Sequence, residues 1–376
     1  MPDFSADDHA YMARALQLAR HGLYTTHPNP RVGCVLVRDG QIVGEGWHER
    51  AGQAHAEVFA LRAAQKRAQG ATAYVSLEPC SHYGRTPPCA EALVQAGVAK
   101  VIAAMVDPNP LVAGNGLQRL QQAGVVTAAG IETASGLLAA EARALNPGFV
   151  SAMERKRPWV RIKMAMSLDG RTAMASGESV WITGEAARRD VQFWRAQAGA
   201  ILTGIDTVLV DQPQLNVRLS ATDLGIEGEV RQPVRVVLDS NLRFPLDAPL
   251  LKSAGKVLIY TCSTNTAKIA ALQSLGVSIR QFSGTRLDLT EVLFALVLDG
   301  INEVHVEAGA TLSGSLIEQG LADELVLYMA PHLMGSAARP LFTLPLAKMA
   351  ERHPLQIRDI RAVGQDWRIL ADFHKE

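Results

Sequence analysis

The chain is 376 residues long, with 48% apolar and 20% charged residues. This composition supports two or three packed domains and excludes a disordered, collagen-like or disulfide-stapled chain. Lys plus Arg and Asp plus Glu both total 37, with 12 of each sign in residues 1–150 and 25 of each in 151–376. Nucleic-acid surfaces concentrate positive charge to displace counterions, so neither a nucleic-acid nor a membrane partner is expected. The amino terminus, Met-Pro-Asp-Phe-Ser-Ala-Asp-Asp, lacks the basic-then-apolar order of a signal peptide. The longest apolar runs, Val101–Val106 and Val292–Leu298, fall far short of the ~18 residues that span a bilayer. A cytoplasmic protein is expected, with Cys34, Cys80, Cys89 and Cys262 buried, catalytic or metal-bound and not disulfide-paired.

Asp7–His21 carries apolar residues at helical spacing, with Asp7 and Asp8 suited to its start. Val32–Val37 and Ile42–Gly46 read as strands about a turn at Asp39-Gly40. Ala56–Arg67 reads as a helix and Ala71–Leu77 as a strand. Ala90–Ala96, Lys100–Val106, Asn115–Ala123, Val125–Ala128 and Thr133–Ala144 continue the alternation. A break is expected at Asn146-Pro147-Gly148, then a solvated basic connector from Glu154 to Pro158, giving domains 1–146 and 147–376. Beyond it, strands are predicted at Trp159–Met166, Ala200–Gly204, Val234–Asp239, Lys256–Thr261, Val277–Gln281 and Glu303–Glu307. Helices are predicted at Glu185–Gln197, Thr264–Leu275, Leu289–Leu298 and Thr311–Gly320, and closing strands at Glu324–Ala330 and Trp367–Phe373. Both halves are α/β, sheets with helices on their faces.

His55-Ala56-Glu57 opens a predicted helix, and Pro79-Cys80 ends a predicted strand, with Cys89 following the eight-residue segment Ser81–Pro88. One imidazole and two thiolates suit tetrahedral zinc with a fourth position left for water. Zinc lowers the pKa of such a water from 15.7 to about 7. Glu57, two residues beyond the histidine, reaches that water without binding the metal and shuttles its proton to a departing amine. The His-x-Glu…Pro-Cys…Cys pattern resembles the zinc deaminases of nucleobases and nucleosides, whose cysteines usually lie two residues apart. The longer spacing here leaves open whether Cys89 or His82 completes the set. Cys34 and Cys262 read as packing residues. His9, His21, His27, His48 and His82 default to surface or substrate contacts.

The segment Leu77-Glu-Pro-Cys-Ser-His-Tyr-Gly-Arg-Thr-Pro-Pro-Cys89 carries a long inter-cysteine insertion. With Thr26-His-Pro-Asn-Pro-Arg-Val-Gly33 and Asp107-Pro-Asn-Pro-Leu-Val-Ala-Gly114, it resembles the deaminase half of the bifunctional riboflavin-biosynthesis family RibD. In that family Cys89 is the ligand and the insertion helps hold a phosphorylated pyrimidine. The resemblance implies hydrolytic loss of the 2-amino group from a diamino-ribosylamino-pyrimidinone 5′-phosphate. Ser167-Leu-Asp-Gly-Arg171, Ser179-Val-Trp-Ile-Thr183 and Val306–Ser315 resemble the family's reductase domain, which reduces the ribosyl side chain to ribityl with NADPH. A cytidine-deaminase-like α/β/α domain followed by a dihydrofolate-reductase-like α/β domain is thus implied.

At Val306–Ser315 a strand leads into a helix whose amino terminus favours phosphate, and Gly309 and Gly314 let the backbone approach a ligand. The resemblance places NADPH against Ala165, Trp181, Thr207, Asp211, Ser240 and the run Gly309, Ala310, Thr311, Leu312, Ser313, Gly314 and Ser315. It places substrate against Ser179, Arg195, Leu215, Arg218 and Glu307. Arginines at 195 and 218 suit a phosphate, which a guanidinium grips with two parallel bonds. The ordinary alternatives are a solvated helix face for Arg195 and a strand-end turn for Asp211. A homo-oligomer is expected. Three other readings compete: a nucleoside or tRNA deaminase fused to an unrelated domain, a nicotinamide reductase with a decayed deaminase half, and a noncatalytic zinc-stabilised interaction protein. Cys89→Ser is expected to lower the zinc content of the chain, and unchanged zinc would give the third ligand to His82.

Overall fold

The computed structural model describes residues 4–81, 88–110, 112–129 and 137–373. The chain forms two compact units, Met1–Lys156 and Arg157–Glu376. The division falls beyond Asn146 because Pro147 opens a helix, where its missing N–H forfeits no bond.

The first unit comprises α1 (Ala6–Ala19), β1 (Gly33–Arg38), β2 (Gln41–Trp47), α2 (Ala56–Ala64), β3 (Thr72–Val75) and α3 (Cys89–Gln95). It continues through β4 (Lys100–Ala103), α4 (Asn115–Gln122), β5 (Val126–Ala129), α5 (Leu137–Leu145) and α6 (Pro147–Arg155). Ser5 and Asp8 start α1 with a reciprocal capping box. The strand order is β2-β1-β3-β4-β5, with β1 antiparallel to β2 and β3 and the remaining pairs parallel. Alternate residues of β1 feed two cores. Cys34 and Leu36 meet Ala60, Leu93 and Leu120 from α2, α3 and α4, whereas Val35 and Val37 meet Met12, Leu138 and Val150 from α1, α5 and α6. The period of two along one strand therefore places helices on both faces of the sheet.

The second unit begins with β6 (Trp159–Ser167), β7 (Arg171–Ala173), α7 (Glu185–Gln197), β8 (Ala200–Gly204), α8 (Ile205–Asp211) and α9 (Ala221–Leu224). Next come β9 (Val234–Leu238), β10 (Val257–Thr261), α10 (Thr266–Ser274), β11 (Ser278–Gln281), α11 (Leu289–Leu298), β12 (Glu303–Val306) and α12 (Ala310–Glu318). The last strands are β13 (Glu324–Ala330), β14 (Arg339–Pro340), β15 (Leu355–Val363) and β16 (Asp366–Phe373). Nine of these strands form one sheet, in the order β11-β10-β9-β8-β12-β6-β13-β16-β15. Neighbours from β11 to β13 are parallel, and β16 and β15 close the sheet antiparallel. On one face Val160, Ile162 and Met164 of β6 pack with Leu293 of α11 and Leu316 of α12. The intervening Arg161 and Lys163 belong to the opposite face, where Val326 and Tyr328 meet Ala187 and Val191 of α7.

Two sequence expectations change here. Asp211 ends a helix and not a strand. In Ile205–Asp211 only Ile205 and Val208 are buried while Val210 is 73% exposed, a helical spacing hidden in a β-branched run. Nor is the basic connector solvated throughout. The Arg157 guanidinium makes two parallel bonds to Asp323, at 2.9 and 3.0 Å, and the Asp323 side chain is fully buried.

Gly33 shows how tightly the first unit is packed. A Cβ there would lie 2.0 Å from the Ala15 carbonyl oxygen and 2.8 Å from the Ala19 nitrogen, so α1 lies directly on the β1 backbone. Gly33→Ala is expected to destabilise this unit by about 1–3 kcal/mol, read as a lower urea midpoint. An unchanged midpoint would contradict this packing.

Candidate functional site

His55 is the residue before α2, in extended conformation (φ −80°, ψ 166°). Cys89 is the first residue of α3, and Cys80 lies in the segment leaving β3. The His55 Nδ1 atom is 3.3 Å from Cys89 Sγ and 3.6 Å from Cys80 Sγ, and all three donor atoms lie within 4.8 Å of one another. Tetrahedral zinc, with bonds of about 2.3 Å to sulfur and about 2.0 Å to nitrogen, separates such donors by roughly 3.5 Å. The donor set therefore fits the metal in both chemistry and spacing. Hydrogen bonding from Cys89 outweighs burial and draws the Cys80 thiol down to about 4, toward the thiolate that binds metal. His82, the competing ligand, lies outside the described residues.

Glu57 sits in the first turn of α2 and is 3% exposed. Burial raises its pKa above the usual carboxylate value. Its Oε2 atom has no hydrogen-bond partner among the described residues. A carboxyl with an unengaged oxygen beside three metal donors is equipped to take and return a proton.

Of the two places the sequence allowed for His48, surface or substrate contact, the structure excludes the surface. His48 is 2% exposed, and its ring meets His55 edge-on with centroids 5.6 Å apart. Its Nδ1 donates to the Ala54 carbonyl at 2.9 Å, leaving Nε2 to accept from the Asn29 amide at 3.1 Å. Asn29, from the Thr26–Gly33 motif, thus reaches His55 through His48. Glu78 was also passed over, because its partners are main-chain N–H groups far along the chain.

In the second unit five of the expected residues lie at or just beyond the ends of parallel strands. Strands β6, β8, β9 and β12 are parallel. Ala165 lies near the end of β6, Thr207 in α8 just after β8, Ser240 just after β9, and Glu307 and Gly309 just after β12. This carboxyl edge is where open α/β sheets bind ligands. Gly309 precedes α12 with no side-chain cap, and a Cβ there would meet nothing within 4 Å. The first N–H groups of α12 are therefore available to a phosphate. Gly314 differs: a Cβ there would lie 2.2 Å from the Thr343 carbonyl oxygen, so its close approach is to protein backbone. Ser313 is fully buried.

Arg195 is not on a solvated helix face. Its Nε and Nη2 bond the two Glu307 oxygens at 2.5 and 2.9 Å, and Nη1 bonds the Asn216 carbonyl at 3.0 Å. Three of the five Arg195 N–H groups are thus engaged within the protein. Arg218 has an exposed side chain, while its main-chain nitrogen donates to Gln192. Leu215 is buried. Trp181, in the segment between β7 and α7 with Ser179, is 71% exposed and lies 4.5 Å beneath the Arg188 guanidinium. Asp211 is exposed, and among the described residues its carboxylate takes no hydrogen bond. Lys163 escaped the sequence reading although the alternation Arg161-Ile162-Lys163-Met164 marks it. Burial lowers its pKa, and Glu307 and Arg195 are the charges it feels.

These features define a class of protein: a zinc deaminase unit joined to a nucleotide-dependent reductase unit. The cytidine and deoxycytidylate deaminase zinc-binding region matches residues 5–105, and the RibD C-terminal domain matches residues 158–369. The riboflavin biosynthesis protein RibD of Escherichia coli K12 is 51% identical over 366 residues, 96% of this chain and 97% of that protein. The structure of Acinetobacter baumannii RibD superposes with a TM-score of 0.89 at 48% identity, covering 98% of this chain and 99% of that one. A Thermotoga maritima diaminohydroxyphosphoribosylaminopyrimidine deaminase/5-amino-6-(5-phosphoribosylamino)uracil reductase gives 0.83 at 29% identity, with the same coverage. The chain belongs to the RibD family of riboflavin biosynthesis enzymes. It is a deaminase and reductase with a cytidine-deaminase-like domain and a dihydrofolate-reductase-like domain, served by zinc and NADPH.

Burial alone would raise the Glu307 carboxyl, but Arg195 outweighs it and holds the group below the usual carboxylate range. A carboxyl whose pKa is depressed on folding adds stability above its unfolded value of about 4.3 and loses it as the pH falls below that. Glu307→Gln, which leaves Arg195 buried without its counter-charge, is expected to cost about 3 kcal/mol near neutral pH. The deficit should narrow as acid is added below about pH 4. A deficit that does not change with pH in urea titrations would deny the ion pair this role.

Proposed function

We propose that the first unit hydrolyses the 2-amino group from a diamino-ribosylamino-pyrimidinone 5′-phosphate, and that the second reduces the deaminated product's ribosyl chain to ribityl. The observation that carries the first step is Glu57, buried beside His55, Cys80 and Cys89 with an Oε2 that has no hydrogen-bond partner among the described residues. Those three residues hold zinc, which when bound makes water acidic enough to lose a proton near neutral pH. Glu57 takes that proton and passes it to the departing amine, so that water adds to the ring carbon and ammonia leaves. Burial of Glu57 keeps bulk water from supplying the proton instead.

NADPH, when bound, supplies the hydride for the second step. Ala165, Trp181, Thr207, Asp211, Ser240 and the start of α12 would hold the cofactor, and the main-chain N–H groups of Ala310, Thr311 and Leu312 would be donors for its phosphates. Ser179, Leu215 and Arg218 hold substrate, and Arg218 has the free guanidinium for its phosphate. The sugar opens to an imine, and Glu307, kept ionised by Arg195, complements the positive charge that gathers there.

We also place the enzyme in the cytoplasm, in keeping with four unpaired cysteines and an NADPH requirement. No helix among the described residues is long and apolar enough to cross a membrane. The even charge argues against nucleic acid. A second copy of the chain is the proposed partner, supported by β15, an edge strand whose Leu355, Ile357 and Ile360 are 41%, 57% and 53% exposed.

Supplying the diamino substrate with and without NADPH tests the sequence of steps. Ammonia is expected in both cases and ribitylamino product only with NADPH; ammonia release that requires NADPH would reverse the order. Glu57→Gln is expected to lower ammonia release by roughly 10²–10⁴-fold while zinc stays bound. Loss of zinc from that variant would make Glu57 a ligand.

A further inference from the structure

Glu78 is 3% exposed, and its carboxylate accepts four main-chain N–H groups. Oε2 takes those of Asp107 at 3.1 Å and Gly114 at 2.9 Å. Oε1 takes those of Gly116 at 2.9 Å and Leu117 at 3.2 Å. Gly116 and Leu117 are the second and third residues of α4, a helix whose own N-cap, Gly114, has no side chain to offer. A distant carboxylate thus fills the capping position, where exposed N–H groups and the helix dipole both favour negative charge.

The same residue is tied to the segment that carries Cys80. Its main-chain N–H donates to the Met105 carbonyl at 3.0 Å, beside the end of β4. A Cβ on Gly116 would lie 1.9 Å from the Pro79 carbonyl oxygen, so α4 touches the backbone immediately before Cys80. Beyond Pro79, the Cys80 carbonyl accepts from Ala90 at 3.2 Å and its Sγ from the Cys89 N–H at 3.3 Å. The Cys80 backbone is therefore clamped between the start of α4 and the start of α3.

We propose that Glu78 is a positioning residue of the metal centre, locking Pro79-Cys80 against the amino terminus of α4 and so setting how firmly the Cys80 thiolate retains zinc. This rests on Cys80 being a ligand. Groups that orient a metal ligand commonly change metal affinity by 10- to 100-fold when altered. Glu78→Gln replaces one acceptor oxygen by an amide that points N–H at N–H. Two main-chain donors lose their partner, and the start of α4 moves away from Pro79.

The test is the rate at which zinc leaves the full-length chain for an excess of a colorimetric chelator, with cobalt substitution as a second reading. Glu78→Gln is expected to release zinc about tenfold faster or more and to shift the cobalt–thiolate absorption. Leu120→Ala hollows the buried face of α4 while leaving the Glu78 bonds in place, and is expected to release zinc at the wild-type rate. Wild-type release and an unchanged cobalt spectrum in Glu78→Gln would overturn the proposal. So would equal acceleration in Leu120→Ala, which would reduce Glu78 to a stabiliser of the helix. Should Glu78→Gln fail to fold, Glu78→Asp decides: it keeps both oxygens but withdraws them by one methylene, and release at the wild-type rate counts against the clamp. Cys80→Ser separates the premise from the inference, since a variant that keeps its zinc and cobalt spectrum would remove Cys80 from the ligand set and end both.

Discussion

A carboxylate taken out of water must be met by hydrogen bonds or positive charge, and both units are organised around glutamates for which that demand is answered differently. Glu324 is gripped by Arg161 at 2.6 Å, with Arg358 and the Trp159 indole beside it. Glu307 is held by the Arg195 fork, and Glu78 by four main-chain N–H groups. Glu57 alone of the four retains an oxygen with no partner among the described residues. Glu78 and Glu324 join chain segments and Glu307 stands at the carboxyl edge of the sheet, whereas the incompletely answered Glu57 stands next to the metal donors.

The second unit uses strand alternation for the same purpose. Along β6, Val160, Ile162 and Met164 enter the apolar core, so Arg161 and Lys163 must face α7. Along β12, Val304 and Val306 do likewise, which puts Glu303, His305 and Glu307 on the polar side. The register pairs Glu324 of β13 with Arg161 of β6, so adjacent parallel strands bring opposite charges within reach, and Arg195 of α7 meets Glu307. Such ion pairs add little net stability. Their effect is to leave Glu307 ionised at the carboxyl edge, where the strands end and ligands bind.

Much of this was legible in the residues. Glu185–Gln197, Leu289–Leu298 and Glu324–Ala330 appear as elements with the predicted limits: the two helices bury residues at helical spacing, and the strand is a short apolar run buried almost throughout. The metal donors were legible because chemistry restricts which residue types can serve. What escaped were features whose cause is tertiary. Pro147 looks like a breaker but occupies the one helical position that tolerates it. Leu355–Val363 lacks a clear two-residue alternation because it lies at an exposed sheet edge. Glu78 finds its donors 29 to 39 residues away, a distance at which no local capping pattern can show. The bonds from Arg195 to Glu307 cross 112 residues of sequence and could not be read locally either.

Several anions in this chain are met at helix starts. Neither unit has to meet negative groups with a basic surface, because helix starts supply positive potential from the backbone itself. Glu57 lies in the first turn of α2, the Glu78 carboxylate lies on the first turn of α4, and the uncapped start of α12 faces the carboxyl edge of the sheet. Backbone N–H groups are fixed by the fold and carry no formal charge, so they attract an anion without the desolvation cost that a buried lysine or arginine would add. Where side-chain cations are used, as at Arg161 and Arg195, the structure pairs each with a carboxylate of its own.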